Sequence, residues 1–297
     1  MSLLAWSGSP NTMARIGIGT HPISWEGRPD AGQAAEVLSA AIDAGVRLFD
    51  TANSYHLPGE PAGYAESLLG KVVQHHPLGS KVRVATKGGR LLGADGVRFS
   101  DARPEALMKA CRESRERLGV DSIWLYQLHR PDPAVPYAES VAALAELRRR
   151  GEIQHAGLSN ADLAQLEIGR EVLGDGLVAI QNEYSPWFRS SEVELQRCAE
   201  LGLAFLPWSA FGGLDRAQEL AGSSEMQSIA KRFGCTVHQV LLLWLLDRPG
   251  DVIPIPGVRR MSSLQSIIAT FDLDARPDIV AAAEPVINAL AVGASAA

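Results

Sequence analysis

The stretch VRLFDTANSY, residues 46–55, decides how the chain reads. Val46, Leu48 and Phe49 form an apolar, strand-like run that breaks off at Asp50, and Tyr55 follows five residues later. A buried strand that ends in a carboxylate, with a phenol one short loop away, is an unusual ending for a purely structural element. In folds built from alternating strands and helices, polar residues at strand ends converge on one mouth. The other strands therefore matter as much as this one.

Seven further runs have strand character: ARIGIG at 14–19, VRVAT at 82–86, SIWLYQL at 122–128, IQHAGL at 153–158, LVAIQ at 177–181, LAFLPW at 203–208 and DVIPI at 251–255. Helical segments lie between them. Residues 34–45 and 104–119 carry apolar residues three and four apart and end in glycine, the second with a proline near its start. Residues 141–151 end in a basic last turn and a glycine. The run VLLLWLL at 240–246 is far too short to span a membrane and reads as one buried helix. Residues 277–297 predict one last helix and a small-residue tail.

Strict alternation predicts a parallel sheet. Eight units in 297 residues predict an α/β chain forming a single (β/α)8 TIM barrel with a parallel eight-stranded core. The rival, a doubly wound open sheet, wants GxGxxG after the first strand. Here GIGTHP at 17–22 lacks the third glycine and runs into proline. No composition break or linker marks a second domain, so residues 1–297 are expected to form one barrel domain, with flexible ends at 1–13 and 292–297.

The bulk properties exclude some function classes. A formal net charge of -6 argues against nucleic acid or an anionic membrane as a partner. Cys111, Cys198 and Cys235 are far apart, odd in number and not in metal-ligand spacing, which predicts a reducing, cytoplasmic compartment. The start, MSLLAWSGSP, lacks the basic region of a secretory signal.

Five strand ends carry polar residues of interest. The second gives Asp50 with Tyr55 behind it, the third Lys87 and the fourth His129. The fifth ends in Ser159 and Asn160, and the sixth in Gln181 and Asn182. Each has an ordinary structural explanation: a turn cap, a surface lysine, a loop histidine, a packing tyrosine with a wet hydroxyl. Four different titratable groups at successive strand ends fit a site better than coincidence. A tyrosine is a poor acid at neutral pH, with an ordinary pKa of about 10. A lysine cation beside it favours the phenolate and is expected to lower that value. Asp50 would keep the lysine charged, and His129 could hydrogen-bond and orient a substrate oxygen. The sum is a tuned proton donor beside a carbonyl.

The ordered set FDTANSY (49–55), YAESLLGK (64–71), ATKGG (85–89), YQLHRPDP (126–133), GLSN (157–160), QNEYS (181–185), PWSAFGG (207–213) and IPIPGVRR (253–260) resembles the aldo-keto reductases over nearly the whole chain. QLHRPDP and ATKGG lean towards a bacterial branch that includes pyridoxal-reductase-like members. The resemblance implies a (β/α)8 barrel that binds extended NADPH at the C-terminal face and exchanges hydride with an aldehyde or ketone. It implies Tyr55 as proton donor, Lys87 and Asp50 as its tuning pair, and His129 as the group that orients the carbonyl. Ser159, Asn160 and Gln181 would hold the nicotinamide carboxamide, with Trp208 stacked on its ring. Ser209, Phe211 and Gly212 would line the pyrophosphate path, and Gly19 and Thr20 would touch the cofactor from below. Gly257, Arg259 and Arg260 would lie at the 2′-phosphate end, where a guanidinium suits a phosphate.

The adenine end departs from the family pattern. Ser263, Ser266 and Ile267 stand where a basic or amide residue and a Glu-Asn pair are usual. NADPH is therefore expected over NADH, with a weaker hold on the adenine. Substrate identity is assigned to loops 21–30, 56–64, 90–101 and 209–224, with Trp25 and Trp187 as pocket candidates or ordinary packing. His56 is set aside as a second catalytic histidine because His129 matches the role. No metal is expected, the partner is a small carbonyl compound, and a monomer is the default because one barrel carries the whole site. Two rivals follow: a non-catalytic, NADPH-binding regulatory or redox-sensing subunit, and a metal-dependent barrel hydrolase using Asp50, His56 and His129. The second lacks HxH and HExxH pairs and would set Lys87 against the metal.

Overall fold

The computed structural model describes residues 15–273 and 276–294, apart from the side chains at 214, 215, 217, 218, 220 and 291–294. All eight strand runs contribute to one parallel sheet. The strands are β1 (Ile18–Gly19), β2 (Leu48–Asp50), β3 (Arg83–Gly88), β6 (Ile123–Leu128), β7 (Ile153–Ser159), β8 (Leu177–Gln181), β9 (Ala204–Phe205) and β10 (Asp251–Val252). They neighbour one another in that order. Between β3 and β6 lies an antiparallel pair, β4 (Arg90–Leu92) and β5 (Arg98–Ser100).

The ring closes between the two ends of the sheet. The Gly17 N–H donates to Pro254 O at 2.9 Å and the Gly19 N–H to Pro256 O at 3.0 Å, and Gly19 bridges to Gly257. Pro254 and Pro256 accept bonds on this seam but have no N–H to return. The predicted run DVIPI therefore yields a regular strand of only two residues. Gly19 permits the close approach, since a Cβ there would sit 2.9 Å from the Ile255 carbonyl oxygen.

A small cluster that includes Leu48, Ala85, Leu125, Ala179, Ala204, Leu206, Ile253 and Ile255 is drawn from strands around the ring and fills the barrel's interior. The larger apolar clusters lie between sheet and helices. The helices are α1 (Ala31–Asp43), α2 (Tyr64–His75), α3 (Pro104–Leu118), α4 (Tyr137–Arg149), α5 (Leu163–Leu173), α6 (Glu192–Leu201), α7 (Gly213–Gly222), α8 (Ser224–Phe233), α9 (Val237–Leu246), α10 (Met261–Ile268) and α11 (Pro277–Ala294). The predicted punctuation holds: Pro104 opens α3, and Gly119, at φ 66, closes it. Helix α9 is buried on nearly all sides and starts from a capping box between Thr236 and Gln239. Among the described residues no single helix is long and apolar enough to cross a membrane. The expectation of flexible ends at 1–13 and 292–297 falls outside the described residues, apart from the α11 backbone through Ala294.

Two segments assigned to loops are ordered elements instead. Residues 90–101 form the β4–β5 hairpin, turning at Gly93–Gly96, where the Asp95 carboxylate accepts the Val97 N–H at 3.0 Å. Residues 213–222 form α7, entered through a turn in which the Gly212 N–H donates to Ser209 O at 2.7 Å.

Candidate active site

Strand register brings the first pair together. Asp50 on β2 lies opposite Ala85 on β3, and Lys87 stands two residues further along the same face. Lys87 Nζ donates to Asp50 Oδ1 at 2.6 Å, to Thr51 O at 2.9 Å and to Tyr55 Oη at 3.4 Å. Both members of the ion pair are buried, with side chains 1% and 3% exposed. Burial alone would lower the lysine's pKa, but the Asp50 carboxylate and Tyr55 outweigh it and the net direction is upward. Asp50 Oδ2 is held by two amides, accepting from Gln181 Nε2 at 2.8 Å and Gln127 Nε2 at 3.3 Å. Gln127, next to Lys87 across the β3–β6 ladder, was not among the predicted site residues. Its signal was positional, since it points inward at the level of Lys87.

Tyr55 stands over this pair. Its ring lies 4.9 Å from that of His21 and 6.0 Å from that of His129, edge-on to both. Lys87 does act to lower its pKa, but the expected net lowering is corrected: the overall direction is upward. Burial pushes the phenol above its ordinary value, and Lys87, at a long 3.4 Å, offsets only part of that. Tyr55 keeps part of its surface open to the cavity. It is a protonated phenol at neutral pH. His129 is pushed the other way. Burial, then the cations Lys87, Arg90, Arg130 and Arg98, hold its pKa well below the ordinary range, so the imidazole is neutral. Its Nδ1 is buried without a hydrogen-bond partner.

These side chains open into a cavity of about 590 Å³, within the usual range for a small-molecule site. Of the predicted residues, Gly19, Asp50, Tyr55, His129, Ser159, Asn160, Gln181, Trp208, Ser209, Phe211 and Gly257 line it. Asn160, at φ 55, donates to His129 O at 2.8 Å and to Ser159 Oγ at 3.0 Å, tying β7 to β6 at the mouth. The buried Trp208 Nε1 has no partner. Asn182 instead bonds the backbone of Ala161 through both ends of its amide and serves the scaffold.

The other predicted residues lie off the cavity wall. Thr20 is fully buried and its hydroxyl donates to Asp50 O at 3.0 Å. Gly212, at φ 77, sits under Trp187; a Cβ there would come within 2.6 Å of the indole. Trp187 packs against the large apolar cluster. Trp25 is at the rim, stacked on His21 at 5.2 Å. Arg259 donates to Gly27 O at 3.4 Å and Arg260 is the exposed N-cap of α10, while Ser262, Ser263, Ser266 and Ile267 of that helix reach the cavity. The metal alternative meets an occupied ligand set: Asp50 is paired with Lys87, and His56 Nδ1 lies 3.0 Å from Leu57 O. Among the described residues no cluster of three or more His, Cys, Asp or Glu is placed to hold a metal.

The cavity also takes in His21, Arg90 and Arg98, which lie in segments assigned to the substrate but were not singled out there, and Arg130 and His238, which were not predicted at all. Arg90 and Arg98 arrive on the hairpin, for which the Asp95-Gly96 turn pair was a usable signal.

Comparison with known proteins fits this geometry. The aldo/keto reductase family model matches residues 15–286. The 6-dehydroglucose reductase of Novosphingobium aromaticivorans is 32% identical over 270 residues, which is 85% of this chain and 86% of that protein. An aldo/keto reductase from Klebsiella pneumoniae, solved in complex with NADP and acetate, is 26% identical with a TM-score of 0.76, covering 92% of this chain and 91% of that one. The glycerol dehydrogenase of Gluconobacter oxydans is 25% identical with a TM-score of 0.79, covering 93% of this chain and 90% of that one. An eight-stranded barrel with a buried Asp–Lys pair beneath a tyrosine, matched by the family over nearly its whole length, leaves one conclusion: the chain belongs to the aldo/keto reductase family.

Proposed function

We propose that the protein reduces an aldehyde or ketone to the alcohol with NADPH, reversibly, and that Tyr55 donates the proton. The observation that carries this reading is the contact chain from Asp50 through Lys87 to Tyr55, ending in a phenol open to the cavity.

The residues fit a nicotinamide cofactor. Gln181 gives its amide N–H to Asp50, which turns its carbonyl oxygen away from that carboxylate. Asn160 gives its N–H groups to His129 O and Ser159 Oγ, so its oxygen also remains an acceptor. A carboxamide needs such acceptors for its own N–H groups, and the Ser159 hydroxyl can donate to its oxygen. The Trp208 face supplies a stacking surface. NADP in the Klebsiella relative is consistent with this assignment. Ser262 and Ser263, in the first turn of α10, and Arg260 at its cap are the groups proposed for a 2′-phosphate.

When bound, the nicotinamide supplies hydride to the carbonyl carbon. The protein's task is the oxygen. Neutral His129 and protonated Tyr55 flank the place where that oxygen must sit, and either can hydrogen-bond it. As negative charge develops on the oxygen, the Tyr55 Oη proton passes to it. The phenolate left behind faces the Lys87 ammonium, which Asp50 holds in place. A raised resting pKa suits this role: Tyr55 carries its proton until the oxygen needs it, and Lys87 stabilises the anion formed afterwards.

The test follows NADPH oxidation by absorbance against small aldehydes, nitrobenzaldehyde and pyridoxal included, for wild type and Tyr55→Phe. Loss of the general acid lowers kcat by roughly a hundredfold or more, with NADPH binding retained. Equal turnover by the two proteins refutes the assignment. Two inactive proteins that still bind NADPH favour the regulatory-subunit alternative. NADPH and NADH are titrated side by side, with NADPH the tighter; an NADH preference overturns the 2′-phosphate assignment.

A further inference from the structure

Three guanidinium groups enter the cavity beside the catalytic candidates. Arg90 opens β4, Arg98 opens β5 and Arg130 follows His129. Arg98 lies 4.8 Å over the Trp25 ring, Trp25 stacks on His21 at 5.2 Å, and His21 meets Tyr55 at 4.9 Å. The cluster therefore sits at the Tyr55 end. The groups assigned to the cofactor, among them Gln181, Trp208 and Ser263, are other members of the same lining.

None of the three guanidiniums forms an ion pair or a side-chain hydrogen bond with any described residue, and Arg130 Nε is buried without a partner. Acids nearby in sequence are engaged elsewhere. Asp95 accepts from the Val97 N–H, Asp101 pairs with Arg103, and Asp132 accepts from the Ala102 and Ala134 N–H groups. Glu183 feels the field of Arg130 but makes no ion pair with it. Burial and mutual repulsion lower the pKa of both Arg90 and Arg98. Three cations gathered in a partly desolvated cavity destabilise one another unless an anion joins them. Guanidinium groups are also well shaped to grip a planar carboxylate or a phosphate.

We propose that Arg90, Arg98 and Arg130 form an anion-binding subsite, and that the preferred substrate is an aldehyde or ketone carrying a carboxylate or phosphate a short spacer from its carbonyl. The inference rests on the carbonyl-reductase reading. The carbonyl binds at Tyr55 and His129, and the anion binds between the hairpin and Arg130. Arg98 is a specificity residue here, since its guanidinium grips the substrate away from the reacting atoms.

The test uses charge-matched pairs. Reduction of 4-carboxybenzaldehyde is compared with its methyl ester, and of glyceraldehyde 3-phosphate with glyceraldehyde, for wild type, Arg98→Gln and Arg90→Gln. In wild type the anionic member of at least one pair is favoured about tenfold or more in kcat/KM, and each variant lowers that ratio by about tenfold. Whichever pair shows the preference identifies the anion as carboxylate or phosphate. A ratio near one in both pairs overturns the proposal. So does a variant that raises the KM for NADPH equally with all substrates and leaves the ratios intact, since the arginines would then serve the cofactor. Calorimetric titration of the NADP+-loaded protein with the same four compounds supplies a readout without turnover. Tighter binding of an anion sustains the subsite even if no aldehyde is reduced, in which case only the reductase reading fails. Equal binding of all four overturns it.

Discussion

The Asp50–Lys87 pair is the part of the site whose energetics follow most directly from its geometry. Consider Lys87→Met, which keeps the length of the side chain and removes its charge. Asp50 Oδ1 and Thr51 O lose their donor at 2.6 and 2.9 Å, in surroundings where Asp50 is 2% exposed and Thr51 not at all. Removing one member of a buried ion pair costs about 3–5 kcal/mol, because the other charge stays behind uncompensated. Oδ2 still accepts from Gln181 and Gln127, which places this variant at the lower end, about 3 kcal/mol. For a chain of this size that is a fall in Tm of roughly 6 °C. Asp50→Asn leaves the opposite problem, a buried ammonium with only the Thr51 carbonyl and the Tyr55 hydroxyl. The double variant removes both charges, so it should be more stable than the sum of the single losses implies, by about 2 kcal/mol.

The assay is equilibrium urea unfolding at pH 7, followed by tryptophan fluorescence. That pH sees the whole effect. Lys87 binds its proton more tightly in the fold than the ordinary value of 10.5. The pair's contribution is therefore fully present below that pH and is lost only as pH rises through the folded value. Single losses that add within about 0.5 kcal/mol in the double variant would refute the reasoning, because contacting charges cannot behave as independent sites.

Acid sensitivity gives a second check. Burial, then the Arg98 charge, lowers the His21 pKa from 6.5 to about 4. Between those values the unfolded chain binds more protons than the folded one, so stability falls as the pH drops through that window. Thermal unfolding between pH 7 and 4.5 should show that fall, and His21→Gln should make it shallower, with His129, His155 and His238, whose values are also lowered, contributing to the remainder; an unchanged slope would rule His21 out as a source. Trp208→Ala should weaken NADPH binding by about three- to tenfold, the value of a stacked aromatic contact. Titration of NADPH fluorescence measures this, and an unaltered Kd removes Trp208 from the cofactor wall.

Much of this was legible in the sequence, for a physical reason. Strands of a parallel barrel are buried on both faces and read as apolar runs, so the eight runs stood out, and each polar residue ending one was conspicuous. Adjacent strands place Asp50 and Lys87 on one face two residues apart in register. Their contact follows from the fold once the fold is granted. What stayed hidden depended on contacts between distant segments. Nothing local in GG at 212–213 says that Trp187 covers Gly212, or that this indole is therefore kept from the cavity. Nor does RLLGADGVRFS at 90–100 show that its arginines turn inward, although its Asp-Gly turn announces the hairpin that carries them.

The Tyr55 result shows where inference from residue types reaches its limit. A lysine near a tyrosine favours the phenolate, and Lys87 acts in that direction here. The size of that effect depends on distance, and Nζ stands 3.4 Å from Oη because Asp50 and Thr51 hold it more closely, at 2.6 and 2.9 Å. Asp50 thus does two things: it keeps the lysine charged, and it draws the ammonium away from the phenol. With burial acting against the anion, the resting phenol is a weaker acid than an exposed one. That is no obstacle to catalysis, because the proton moves only when an oxygen carrying developing negative charge sits beside it. The phenolate then formed is the species for which the Lys87 ammonium is placed, so the pair acts on the transition state more than on the resting enzyme.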